Sequence, residues 1–479
     1  MNLSKFQNNI IVAHHFCVRK PRVLKVLIGN ILLSQTSVYN LLYIIALIIL
    51  ASLLLGFFSL EDFAYSQNAT TTTTGQQIPG SIFAKPTGSS PVINDPKLKV
   101  QLVYKGLELP TSMAFIAQND ILVLQKAKGT VQRITNGHLL SKPLLVLPVS
   151  SEVERGMLGI AASKETNGTI YVFLYLTETL GQPTTPPTGI NNNNIAQAIA
   201  NRLYRYELTN NKLTDPQLLL DLPATPGPRH NGGAITIGPD GNVYVTIGDL
   251  DGHTTQAQNV IDGGPPDGSG GILRITKAGI PAGNILDNKG PTNKYFAYGI
   301  RNSFGLDFDP LSGKLWDSEN GAGSNDEINL VEPGFNSGWT KVQGKAPLDF
   351  NYSQLENFHG NGKYHDPAFT WFDTVGPTEV RFLNSNKLGK QYENNLFVSD
   401  IHQGRIYQFK LNETRTGLSL RGLLADKVAD SSIEAQDLIF GSNFAGISDL
   451  VVGPDGYLYV LSFGSGAIYR IVPVDVKEL

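Results

Sequence analysis

Cysteine is nearly absent: the chain has one, Cys17, and it precedes the apolar segment discussed below. The folded part therefore holds no disulfide, thiol nucleophile or thiolate ligand, which excludes cysteine-ligated zinc and iron–sulfur chemistry. Charge is sparse too. Asp, Glu, Lys and Arg make up 16% of the 479 residues, and the net charge of −3 leaves no basic face for a nucleic-acid backbone. No amphipathic helical stretches of about 10–15 residues alternate with the apolar runs, which disfavours a parallel α/β sheet. Turn chemistry is abundant instead. The 49 Gly and 27 Pro suit many short strands joined by tight turns.

Long apolar runs are also missing, with one exception. Residues 41–60 read LLYIIALIILASLLLGFFSL without a charge, long enough to cross a bilayer as a helix. Lys5, Arg19, Lys20, Arg22 and Lys25 precede this run, and Glu61 and Asp62 follow it. The positive-inside bias puts residues 1–40 in the cytoplasm and everything after residue 60 outside. Ala64-Tyr65-Ser66 offers a small-residue cleavage site, so a long signal peptide competes with a signal anchor. The outer part is then membrane-anchored or secreted. Residues 61–96 are rich in Thr, Gly and Pro and read as a solvated linker. Sequons at Asn68, Asn167, Asn351 and Asn412 fit an exported chain.

From residue 97 to 474 one pattern recurs: an apolar strand, a turn built on Asn, Asp or Gly, and a second apolar strand. The copies read MAFIAQNDILVL, LGIAASKETNGTIYVFLY, AITIGPDGNVYVTIGD, LDFDPLSGKLWDSE, ENNLFVSDIHQGRIYQF and LVVGPDGYLYVLSF. Pro-Asp-Gly between β-branched and aromatic runs is a hairpin signal, because Gly supplies the positive φ. Six copies, each with room for four strands, predict an all-β fold: a six-bladed β-propeller of four-stranded antiparallel blades, behind one transmembrane or signal helix. Seven blades is the competing count. The strand near Leu102-Val103-Tyr104 is expected to meet the one near Ile468-Tyr469-Arg470 and close the ring.

Three clusters carry chemistry. His230 opens a strand after Arg229 and before Asn231-Gly232-Gly233, and Asp249 ends the strand hairpinned to it, so both fall at one rim. A carboxylate that orients an imidazole holds a general base; a rim histidine in an ordinary hydrogen bond fits the same residues. The second cluster is Tyr298-Gly299-Ile300-Arg301-Asn302-Ser303-Phe304-Gly305. The third, residues 317–329, reads DSENGAGSNDEIN. Free backbone carbonyls flanked by carboxylates suit an oxygen-liganded cation such as Ca²⁺. An ordinary polar loop has the same composition.

In this order and spacing, HNGG…GPDG…GD, G-x-RN-x-x-G and SE-x-G-x-x-x-x-DEIN resemble the pyrroloquinoline quinone-dependent sugar dehydrogenases, the glucose/sorbosone dehydrogenase family. Glu154-Arg155-Gly156-Met157-Leu158-Gly159 is similar to that family's early GLLG motif. The resemblance implies an extracytoplasmic quinoprotein that oxidises aldose sugars at C1 to lactones and passes electrons to a membrane acceptor. It implies His230 as the base and Asp249 as its orienting carboxylate. Arg301, Asn302 and Asn320 would be cofactor contacts. The carbonyls of Gly321 and Ala322 would bind a catalytic Ca²⁺, and Glu327 a second, structural one.

One stretch departs from the pattern. Where the family has Arg-x-Arg-Asp to grip the quinone's carboxylates, this chain reads Gly446-Ile447-Ser448-Asp449. The family's lysine on the fifth blade has no clear counterpart except Arg381, and Arg229 is the other cation at hand. Losing two charged hydrogen bonds costs roughly 3–6 kcal/mol. Two further readings therefore stay open: a non-catalytic or different-ligand binding propeller, and a lactonase-like Ca²⁺-dependent hydrolase.

Overall fold

The computed structural model describes residues 90–180, 197–287 and 290–477. The repeat seen in the turns extends to tertiary contacts. At the third copy, Asp240 accepts from the backbone N–H of Asn242 (3.0 Å), the hydroxyl of Tyr244 (3.0 Å) and Nη2 of Arg274 (2.6 Å). At the last copy, Asp455 takes Tyr459 (2.8 Å) and Arg470 (3.2 Å) in the same way. One turn aspartate thus ties the second and third strands of its sheet.

Six sheets result. In chain order their leading strands are Pro110–Ala117, Met157–Lys164, Ile235–Ile237, Ser303–Phe308, Pro377–Phe382 and Ile447–Val452. Each touches the next, and the sixth touches the first, so the strands close a ring. The architecture is an all-β propeller. The second strands, such as Val243–Ile247 and Leu458–Ser462, are buried along their whole length because a neighbouring sheet covers each face. That is why they read as continuous apolar runs rather than alternating ones. An apolar cluster fills each junction between neighbouring sheets, six in all among the described residues.

The ring closes through the strand Leu98–Lys105, which pairs antiparallel with Ala467–Pro473, Leu102 opposite Tyr469 and Tyr104 opposite Ile468. The uniform four-stranded blade needs correction. The second and sixth sheets have four strands, and the others gain short edge strands such as Phe335–Asn336, Lys363–Tyr364 and Val428–Ala429, which pair in parallel. These come from long connections that run back along an outer edge and cover its free backbone groups. Val92–Ile93, in the segment expected as linker, adds to another edge opposite Ser442 and Gly441. The fifth hairpin copy is also out of phase. Its strands Leu396–Asp400 and Ile406–Phe409 are the second and third of their sheet, and the leading strand Pro377–Phe382 lies before a loop with no Pro-Asp-Gly turn.

The expected membrane segment 41–60, like Asn68, lies outside the described residues; among those described, no helix is long and apolar enough to cross a membrane. Asn167 and Asn351 are exposed, and Asn412 is half-buried.

The closing strand should be indispensable. A chain begun at residue 107 withdraws Leu98 and Val100 from the last junction cluster, at about 2–5 kcal/mol for each buried aliphatic side chain lost. We expect it to unfold well below a chain begun at residue 90; equal melting in calorimetry would show that closure adds no stability.

Candidate functional site

The antiparallel register of the third sheet, Ile235 opposite Val245 and Ile237 opposite Val243, carries the residues beyond both strand ends to one rim. There His230 Nδ1 and Asp249 Oδ1 lie 2.5 Å apart. The indole N–H of Trp339 donates to Asp249 Oδ2 (2.7 Å), and the backbone N–H of Asp251 to Oδ1 (3.1 Å). Both carboxylate oxygens are therefore engaged, and Nδ1 is the ring nitrogen held by the aspartate. His230 Nε2 has no hydrogen-bond partner among the described residues and is not among the sealed, unpaired polar atoms. The histidine is not the exposed rim group its position suggests: only 6% of it is accessible. Its backbone sits at φ 59, a conformation that costs energy for a non-glycine residue. The N–H it presents there goes to Glu154 Oε2 at 2.6 Å.

Arg301 and Asn302 enter from the loop before the fourth sheet. Asp249 N–H donates to Arg301 C=O (2.9 Å), and the approach is so close that a Cβ on Gly248 would lie 2.3 Å from that oxygen. No other residue fits at 248 without moving the loops apart. Arg301 N–H donates to Glu319 Oε1 (2.5 Å), its Nη1 to Asn320 C=O (2.7 Å), and its guanidinium lies over the Trp339 ring at 5.4 Å. Asn302 Nδ2 reaches the Glu154 oxygen that holds His230 (3.3 Å). Asn320 donates its backbone N–H to Asn302 C=O (2.9 Å) and its amide to Pro377 C=O (2.8 Å). His230, Asp249, Arg301, Asn302 and Asn320 are thus joined at one end of the ring. Two adjoining hollows share them. Asn302 and Asn320 face a central cavity of about 160 Å³, whereas Arg301 and Asn320 face a smaller recess with Glu319, Gly321, Glu327 and Trp339.

The metal candidates separate. The carbonyls of Gly321 and Ala322 accept no hydrogen bond among the described residues, while their N–H groups are tied to Asp326 (2.8 Å) and Gln343 (3.0 Å). Glu327 is different. Its carboxylate is taken up by Gly344 N–H (2.7 Å), Asn329 (3.2 Å) and Ser337 (3.3 Å), and no three acidic, His or Cys side chains among the described residues are placed to share an ion. Burial pushes Glu327 and Asp317 well above the usual carboxylate range, and Glu319 up to about 7.

The far wall of the cavity lacks free cations where the family pattern has them. Gly446 sits at φ +75, and a Cβ there would lie 2.8 Å from Ile401 C=O. Ser448 spends its hydroxyl on Pro110 C=O (2.8 Å). Arg381 does line the cavity but is occupied by Leu450 C=O (2.8 Å), Glu379 (3.1 Å) and Asp307 (3.2 Å). Arg229 pairs with Asp251 at 3.3 Å in an exposed position. Sequence reasoning missed three groups. Glu154 lies in a motif quoted for its glycines, and neither Trp339 nor Lys126, which follows the strand Asp120–Gln125, has a local signal.

An anionic quinone fits the first end of this arrangement. Arg301 Nε is a buried donor without a partner, Asn302 Oδ1 a buried acceptor free for an N–H or O–H of the bound molecule, His230 Nε2 is open, and the carbonyls of Gly321 and Ala322 stand free. Two carbonyls leave most of a calcium ion's 6–8 ligands to be supplied by water and a bound molecule.

The sequence model of the family described as Glucose / Sorbosone dehydrogenase matches residues 107–470. The aldose sugar dehydrogenase of Escherichia coli is 25% identical over 385 residues, which cover 78% of this chain and 93% of that protein. Quinoprotein glucose dehydrogenase B of Acinetobacter calcoaceticus is 25% identical over 438 residues, 77% of this chain and 86% of its own. The PQQ-bound aldose sugar dehydrogenase of Streptomyces coelicolor shares the fold with TM-score 0.55 and 23% identity, over 80% of this chain and 99% of that one.

Asp449 gives this wall a pH dependence. Burial raises its carboxyl to about 6, although Met113 N–H (2.7 Å) and Ser112 (2.9 Å) donate to one oxygen. A carboxyl raised above its unfolded value near 3.9 favours the native state when protonated. Its contribution is thus present below about pH 4 and lost as pH rises through 6. Asp449→Asn should remove this dependence and gain on the order of 1–3 kcal/mol over wild type at pH 7. Urea midpoints at pH 4.5 and 7 check the sign.

Proposed function

The chain belongs to the glucose/sorbosone dehydrogenase family, and we propose that it is a sugar dehydrogenase oxidising the C1 hydroxyl of an aldose to the lactone, with pyrroloquinoline quinone and Ca²⁺. The observation that carries this reading is the His230–Asp249 pair beside the unpartnered Arg301 Nε and Asn302 Oδ1. The oxidation removes a hydride from C1 and a proton from its hydroxyl. When bound, the quinone supplies the two-electron acceptor and the ion polarises it. Everything else falls to the chain. Asp249 keeps the proton on Nδ1, which leaves the Nε2 lone pair to take the hydroxyl proton. Trp339 fixes Asp249 from the other side, so the imidazole is held in one orientation. Arg301 offers a cation where negative charge develops, and the free Asn302 Oδ1 would accept from an N–H or O–H of a bound molecule. The carbonyls of Gly321 and Ala322 would hold the ion.

The six junction clusters support counting six blades. The uncharged run 41–60 and its flanking charges support a propeller outside the cytoplasm, delivering electrons to a membrane acceptor. The wall at Gly446, Ser448 and Arg381 favours the second reading, a propeller that binds another ligand without turnover.

Dye-linked sugar oxidation after loading with quinone and Ca²⁺ separates the two. We expect turnover in wild type and a loss of about 10²–10⁴-fold in kcat for His230→Asn. Removing so buried a ring should also cost about 1–3 kcal/mol of stability. Equal turnover by the variant eliminates His230 as the base, and a wild type inactive on every aldose leaves the binding reading.

Restoring a cation is a second test. Ser448→Arg alone should tighten quinone binding about tenfold or more, whereas Gly446→Arg is blocked by its φ and by Ile401.

A further inference from the structure

Lys126 is the only buried lysine among the described residues, 7% accessible, and it lines the same cavity as Asn302, Asn320 and Ser448. Its backbone is locked between the first two sheets: N–H to Leu109 C=O (3.1 Å), and C=O from Met157 N–H (3.0 Å). The ammonium cannot withdraw to the surface by moving its strand. Of its three protons one goes to Ser151 C=O at 3.0 Å, and it forms no ion pair among the described residues. The neighbouring carboxylate is Glu154, already receiving Asn302 and the backbone N–H of His230. A buried ammonium with spare donors and no paired carboxylate is costly unless an anion completes it. Burial lowers its pKa to about 8, with the Glu154 charge opposing that, so it stays largely charged at neutral pH.

We propose that Lys126 is the anion-binding group of the cavity and, resting on the quinone reading above, contacts the carboxylate-bearing end of the quinone in place of the arginines absent at 446 and 448. The grip has moved round the ring, from the sixth sheet to the end of the strand Asp120–Gln125 in the neighbouring first. Arg381 does not compete for the role, since all three of its nitrogens are paired. The rival account is that Lys126 only offsets Glu154. In that case its removal changes stability and leaves ligand affinity alone.

Isothermal titration of the full chain with pyrroloquinoline quinone in Ca²⁺, and separately with benzene-1,2,4-tricarboxylate, tests the proposal. Lys126→Met should bind both about 10–100-fold more weakly, with a flatter salt dependence, and Lys126→Arg should stay near wild type. If the methionine variant does not fold, Lys126→Gln, which keeps an uncharged N–H donor, serves in the same comparison. Affinities for both probes unchanged within twofold overturn the proposal. A wild type that binds the tricarboxylate through Lys126 but not the quinone keeps the anion site and removes the quinone reading. A wild type that binds neither removes both.

Discussion

Asp249 is the point on which the site hangs. It is 1% accessible and fixed by His230 Nδ1, the Trp339 indole and the backbone carbonyl of Arg301. A carboxylate so buried is tolerated only when its oxygens are satisfied, and here its two side-chain donors, His230 and Trp339, come from different loops, while its own N–H donates to Arg301 C=O. The loops around the third and fourth sheets are therefore placed by one residue. Gly248 must be glycine for the same reason, because Asp249 draws the Arg301 carbonyl too close for a Cβ. Glu154 repeats the device on the other side, receiving His230 and Asn302 on a single oxygen.

The ring makes such precision possible. Each sheet is held by an apolar cluster on either side, so no sheet shifts without opening two junctions. The polar centre can then keep unsatisfied atoms, such as Arg301 Nε and Asn302 Oδ1, that a looser fold would rearrange to pair. Closure by Leu98–Lys105 also leaves no junction at which the ring could open from an unpaired strand.

How much of this was legible in the sequence follows from what is local. Pro-Asp-Gly turns encode hairpins within a dozen residues, so the copies at Gly241 and Gly456 placed strands correctly. The fifth sheet lacks that turn before Leu396, so its recognisable hairpin joins the second and third strands and not the first and second. His230 and Asp249 were legible as a pair because one hairpin joins them. Trp339 was not: it reaches Asp249 across 90 residues of chain, and no spacing rule announces it. Lys126 escaped for a related reason. Strand-end lysines are ordinarily solvated, and only the closed ring buries this one. The departure at Gly446 and Ser448 could be read from the residues, but the fact that Arg381 is already spent could not.

That last point bears on what the cavity can hold. Three carboxylates line it, Glu154, Glu379 and Asp449, against two cations, Lys126 and Arg381. Counted formally the wall is negative and would repel an anion. The count misleads, because burial raises Glu379 well above its usual range, so it carries less charge than its formal count implies, although Asp449, raised to about 6, still ionises at neutral pH. Arg381 lies among Asp307, Glu379 and Asp449, where its charge is answered locally, and each of its three nitrogens already has a partner. Glu154 is engaged by two donors from other sheets. What faces an incoming anion is thus set less by the sum of charges than by which of them has donors left, and on that measure Lys126 is the free cation of the cavity. The chain keeps its chemistry at the end where the hydrogen-bond network is densest, and has rebuilt the opposite wall, where fewer contacts had to change together.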